Sequence, residues 1–274
     1  MRAYFKKQIA IPQDHGSWVF ILSPLLIGIF AGAGFSFETF ILTVALMSAF
    51  LIRQPLTILV KISSGRRPKT DLHAALFWSL VYSSIVSLTI FGLFLKGFGE
   101  ILFLAIPGLP IFIWHLWLVS KREERKQVYV EILGTGVLAL AAPAAYWIET
   151  HTYNSTGWWL WILCWLQNSA SIQHAYLRLE QRDWKSIPDR GIRFQGGRRV
   201  FFQTSFNLIS TAILGLGTGI LPPLIFIPYL SQWLESLWGI DRPAIGAKPI
   251  QIGIRQLIIS TLWTILFIIF WRVK

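Results

Sequence analysis

Polar and charged side chains that interrupt membrane-length apolar runs carry whatever chemistry this chain can do, because each is costly in hydrocarbon unless it faces another helix or a wet cavity. The densest interruption is residues 165–190, WLQNSASIQHAYLRLEQRDWKSIPDR, where Gln167, Asn168, Gln173 and His174 lie in an apolar run and Arg178, Glu180 and Asp183 close it. A second is Arg53-Gln54-Pro55, followed by Gly65, Arg66, Arg67 and Pro68, and a third is Lys121-Arg122. If the helices form one bundle, these groups line a single mouth. Basic groups converging there favour an anionic ligand such as a phosphate, diphosphate or lipid headgroup, with arginine offering paired donors. The plainer reading of the loop residues is charge that sets topology and pairs with anionic lipids. Arg53 lies deeper and fits that reading less well. His174 reads more readily as a polar core residue than as a proton shuttle. His15 stands beside Asp14 and Gly16 at a helix entrance, where the aspartate can also serve as a cap.

The elements that must position these groups follow from hydropathy. The 274 residues are 54% hydrophobic and 14% charged, against about 25% charged in a soluble domain. The mean hydropathy is +0.55. Apolar segments long enough to cross hydrocarbon occur at about 17–34, 38–60, 73–95, 100–119, 128–148, 157–177, 199–218, 221–238 and 254–271. They predict an all-α integral membrane protein of about nine transmembrane helices in one multi-pass domain, residues 1–274. Gly215, Gly217, Gly219, Pro222, Pro223 and Pro228 make the seventh and eighth segments readable also as one broken hairpin.

Charge supports the count. Of 25 Lys and Arg residues, 21 fall in the N-terminal tail and in segments 61–72, 120–127, 178–199 and 239–255, all on one side if nine spans are correct. Cytoplasmic loops carry that excess, so the N-terminus is expected inside and the C-terminus outside. The +12 net charge is then mostly a topology signal. The basic residues are split among short segments rather than gathered in a stripe beside stacking aromatics, which argues against nucleic acid.

The single Cys164 excludes an intrachain disulfide and a cysteine-built metal site, and reads as a lipid-facing or packed thiol. The basic start MRAYFKK leads into the first span without a small-residue cleavage pattern, so that span is expected to be retained. Trp147, Trp158, Trp159 and Trp161 read as an interfacial aromatic belt. Gly28, Gly32, Gly34 and the small-residue run from Ala139 to Ala145 are expected to allow close helix packing.

The segment IPQDHGSWVFILSPLLIGIFAG resembles the opening of the YwiC-like family of bacterial membrane proteins at Pro12, Asp14, His15, Gly16 and Trp18, and Arg53-Gln54-Pro55 extends the likeness. That family implies no established activity. A more distant resemblance is to the UbiA-type prenyltransferase superfamily, which implies nine helices, a cytoplasmic-side site and a prenyl diphosphate held through Mg²⁺ by two aspartate-rich motifs. RQPLTILVKISSGRRP resembles the frame of the first motif, SIQHAYLRLEQRDWKSI the second, and Ser120-Lys121-Arg122 the loop of basic phosphate contacts. The chain departs from the motifs where they need carboxylates. Arg53 and Thr57 stand in the first, Ser171 and Arg178 in the second, and only Glu180 and Asp183 are nearby. Mg²⁺ needs hard oxygen ligands and arginine repels it, so no metal and no cofactor is expected. In their place Arg53, Lys121, Arg122 and Arg178 would neutralise an anionic headgroup directly while the bundle receives an isoprenoid or acyl tail.

Three function classes stand at this point. A membrane protein that binds, and in an enzymatic version modifies, a prenyl or other anionic lipid would converge Arg53 and Arg178 on a lipid-open cavity. A small-solute transporter would show pseudo-symmetric halves and broken helices at mid-membrane. An assembly or accessory subunit would present an apolar surface to a membrane protein partner. The expected location is a bacterial inner membrane, or a thylakoid in a photosynthetic host.

Overall fold

Backbone N–H and C=O groups in hydrocarbon must bond within their own segment, so long apolar runs fold as helices. The computed structural model describes residues 6–12, 15–32, 34–123 and 127–273, and no strand occurs among them. Arg2, Asp14, Arg125, Lys126, Lys274 and the side chain of His15 lie outside the described residues.

The helices are α1 (Lys7–Ala10), α2 (Val19–Ala31), α3 (Phe37–Ser63), α4 (Leu72–Leu95), α5 (Ala105–Lys121), α6 (Val128–Ala139), α7 (Ala141–Thr150), α8 (Ser155–Gln181), α9 (Arg190–Ala212), α10 (Phe226–Asp241) and α11 (Pro249–Arg272). Short 3₁₀ turns, His15–Trp18 and Gly99–Leu104, lead into α2 and α5. Six stretches are long and apolar enough to cross a membrane: Phe37–Ser63, Lys69–Leu95, Gly99–Lys121, Val128–Thr150, Arg190–Gly217 and Pro249–Arg272. The chain is therefore a multi-pass helical membrane protein. The other three expected spans are also helical. Gly16–Ala31 is shorter, α10 has 16 residues, and α8 has 27 but turns polar in its last third.

Three boundaries differ from those expected. Segment 128–148 is not one helix, because Pro143 offers no N–H to the carbonyl of Ala139 and the chain restarts at Ala141. The seventh helix begins at Arg190 rather than 199, since nothing between Pro188 and Arg199 stops a helix that leaves hydrocarbon. The last begins at Pro249, with proline in the first turn where its missing N–H costs nothing, so Arg255 is a helical residue and not a loop charge. Between α9 and α10 a π turn at Ile213–Gly217 lets Gly215 sit against the backbone of Pro222 and Pro223; a Cβ there would lie 2.8 Å from the Pro222 oxygen. Pro228 falls in the first turn of α10 and does not break it.

α2 is the hub, packed by α6, α7, α8 and α11. Gly28 makes this close approach work, because a Cβ on it would collide with the Ala142 carbonyl and come within 2.9 Å of Ala145 Cβ. Gly32 meets Glu149 in the same way, whereas Gly34 has no neighbour within 4 Å and serves a φ of +152°. Two of the four tryptophans expected in the belt turn inward instead. Trp147 is buried and donates to Asn154 O at 3.1 Å, its indole filling the space left by Gly157, and Trp161 donates to Gly136 O at 2.8 Å. Trp158 stays exposed. Cys164 is packed in the core.

Side-chain and backbone bonds join helix ends in two separate sets. Lys6 pairs with Asp71, Arg66 donates to Val119 O, Tyr176 to Glu131, and Gly246 N to Arg182 O, which gathers the strongly basic segments at one end. Lys96 pairs with Glu38, Ser36 donates to Glu149, and Arg272 donates to Phe30 O at the other.

Candidate functional site

The basic end of α8 lies between two constellations. On one flank, Arg178 sits one turn after His174 and is buried. Its Nη1 donates to Gln181 Oε1 at 3.0 Å, to Gly239 O at 2.9 Å and to Arg242 O at 2.5 Å. These carbonyls end α10, where backbone acceptors lack intrahelical partners and a cation is favoured. Gln181 completes the clamp through Gly239 O and Ala244 N. Beside it, Glu235 of α10 forms a two-pronged bond with Arg255 of α11 at 2.6 and 2.8 Å. Trp238 carries Arg255 at 3.5 Å and Arg178 at 5.2 Å from its ring centroid. His174 packs on Gly239, where any Cβ would collide with it, and its buried Nε2 has no hydrogen-bond partner among the described residues.

On the other flank a groove of about 540 Å³ runs between α6, α8 and α9, lined by Tyr129, Gln173, Arg198, Arg199, Phe202, Gln203 and Phe206. Arg199, Gln203 and Asn207 are four residues apart and share one helix face. Gln173 Nε2 reaches Gln203 Oε1 at 3.5 Å, Gln203 donates to Asn207 at 2.9 Å, and Asn207 donates to Leu166 O at 3.0 Å. Two exposed guanidiniums thus stand at the rim, amides line the wall, and aromatic rings offer an apolar flank. None of the described lining residues is acidic.

The other sequence-predicted residues divide between two helix neighbourhoods. Arg53 lies over the Phe50 ring at 5.6 Å, and Gln54 donates to Gln8 O at 3.0 Å, holding α1 to α3. Arg67 Nε is 3.8 Å from Asp71. Lys121 and Arg122 are exposed at the end of α5, with Arg122 left-handed at φ 66°. Asn168 is buried, its amide 3.5 Å from Thr135 O. Glu180 lines a second groove, of about 480 Å³, with Trp184 and Lys185, and Asp183 pairs with its neighbour Arg182. α3 packs on α1, α4, α5 and α7, whereas α8 packs on α2, α6, α7, α9, α10 and α11. Arg53 and Arg178 thus stand in different neighbourhoods, and the groove draws only Gln173 from the expected set.

Residues 11–146 match the family model described as YwiC-like protein. Over these residues the chain is similar to the YwiC-like family. No curated protein and no solved structure matched the chain. The YwiC-like segment ends within α7, so it contains Arg53, Gln54, Arg67, Lys121, Arg122 and Tyr129 but none of α8 to α11. Both constellations around α8 are built largely outside it.

Several participants escaped the sequence reading. In the sequence Arg198, Arg199 and Arg255 stand out only as topology charge, and Gln203, Asn207, Glu235 and Trp238 do not stand out at all. Their signal was spacing: Arg199, Gln203, Asn207 and Thr211 in α9, and Gln256, Ser260 and Thr264 in α11, recur every fourth residue.

Proposed function

We propose that this YwiC-like chain crosses the membrane nine times, N-terminus in the cytoplasm and C-terminus outside, and binds an amphiphile with an anionic headgroup in the groove between α6, α8 and α9. The observation that carries the reading is the pairing of exposed Arg198 and Arg199 with an amide-lined, aromatic-flanked groove at the basic end. Arginine forks match phosphate oxygens, and each basic group near an anionic surface adds about 1 kcal/mol. Phe202, Phe206 and Tyr129 suit an acyl or prenyl tail, and Gln173 and Gln203 suit the polar linkage between head and tail. No carboxylate is among the described residues that line the groove, and the arginines are the groups that would neutralise the headgroup charge. The nine-crossing topology is supported by helices at all nine apolar segments and by bonds that join only ends on the same side.

The test is thermal unfolding of the detergent-solubilised protein with added phosphatidic acid, a prenyl phosphate or phosphatidylcholine. Ligand at about 100 times its Kd stabilises by about 2.7 kcal/mol. The wild type should gain several degrees with the anionic amphiphiles and little with the zwitterionic one, and Arg198→Ala/Arg199→Ala should lose the gain. Equal shifts in both proteins would refute the groove as the site.

A further inference from the structure

Among the described residues, six buried side-chain polar atoms lack a hydrogen-bond partner, and four of them are His174 Nε2, Gln232 Oε1, Ser260 Oγ and Trp263 Nε1. All four belong to α8, α10 and α11, which pack against one another. Gln232, Ser260 and Trp263 are 5%, 3% and 2% exposed.

Their depth is fixed by the pairs around them. Tyr229 donates to Leu163 O at 2.9 Å and meets the Trp263 ring at 5.5 Å, which sets the deepest level. Gln232 donates to Gln167 O at 3.1 Å one turn nearer the basic end. Gln256 then donates to Ser171 at 3.0 Å, beside the Glu235–Arg255 pair. α10 and α11 run antiparallel, so the Tyr229–Trp263 and Glu235–Arg255 pairs bring Gln232 and Ser260 to one level between them. From Leu163 to Arg178 the column of polar groups is about 22 Å long at 1.5 Å per residue. Beyond Trp263 it meets an apolar plug that includes Leu160, Ile225 and Phe267.

A buried polar atom without a partner costs roughly 1–3 kcal/mol, and interhelical adhesion alone would leave none. Donors (the Trp263 indole and the Ser260 hydroxyl) and an acceptor (Gln232 Oε1) recur along one interface, and its charged groups at the basic end are already paired. We propose that the α8–α10–α11 interface is a blind polar track that admits water and small neutral hydrogen-bonding solutes from the basic end to the depth of Trp263. The track is separate from the lipid groove on the other flank of α8 and does not depend on it.

Cysteine accessibility tests the track. In a Cys164→Ala background, Ser260→Cys and Ser171→Cys replace one hydroxyl each by a thiol, and Leu262→Cys places the thiol on the lipid-exposed face of α11. Methanethiosulfonates react with the thiolate, which forms in water and not in hydrocarbon. With the uncharged 2-hydroxyethyl methanethiosulfonate added briefly to vesicles of either orientation, both serine variants should label at least about tenfold faster than Leu262→Cys, and faster from the basic face. Labelling of both at the Leu262→Cys rate, in protein that keeps its size-exclusion profile, would overturn the proposal, as would faster labelling from the opposite face.

Discussion

Glu235 is 9% exposed and its partner Arg255 is 42% exposed, so the pair straddles the boundary between packed interior and headgroup water. A carboxylate there is tolerable only while both prongs of the guanidinium hold it. Glu235→Ala should therefore lower stability by on the order of 2 kcal/mol, below the cost of breaking a fully buried pair because Arg255 can turn to water. Glu235→Met/Arg255→Met should recover much of the loss, and thermal unfolding of the three proteins side by side checks both. Arg178 was legible as a candidate because a guanidinium closing an apolar helix stands out in any window. Its partners did not stand out, since they are the carbonyls of Gly239 and Arg242, and backbone acceptors carry no residue signature. Glu235 is hard to see in the sequence because one carboxylate inside FIPYLSQWLESLWGID, with only Asp241 at its end, barely moves an average over a span.

Helices whose burial is dictated by composition were placed well by the sequence, and their ends were not. Hydropathy marks where a chain enters hydrocarbon, whereas Asp189 before Arg190 and Pro249 after Lys248 mark where a helix starts, and those signals sit among charged residues that read as loop. The small residues of α2 and α7 were readable as packing surfaces, and Gly28 shows how tight that contact is. Gly28→Leu must push apart the hub helix and α7, so we expect a loss of about 1–3 kcal/mol in stability, while Gly134→Ala in α6, where a Cβ meets nothing within 4 Å, should cost none. The midpoint of thermal unfolding in one detergent distinguishes them. A Gly28→Leu protein as stable as wild type would mean that the α2–α7 contact is looser than described.

The whole molecule sorts its charge. Lys6–Asp71 and Lys96–Glu38 tie opposite ends of the bundle, and the end with Lys6 carries most of the arginines and lysines. The proposed nine crossings, an odd number, would put the termini on opposite sides. A fluorescent protein fused to the N-terminus of the chain in a bacterial inner membrane should fluoresce, and alkaline phosphatase fused after Lys274 should be active only if that terminus is outside. Activity lost at the C-terminus, with fluorescence gained there, would require an even count. That same basic end holds the groove of Arg198 and Arg199, for which the sequence offered charge but not place, because pairing α8 with α6 and α9 is a tertiary fact. Native mass spectrometry of the gently solubilised protein, wild type beside Arg198→Ala/Arg199→Ala, tests the lipid reading most directly. A co-purified anionic lipid, bound in wild type and lost in the double variant, is the predicted result. A wild type that carries no lipid, or a lipid retained equally by both proteins, would contradict it.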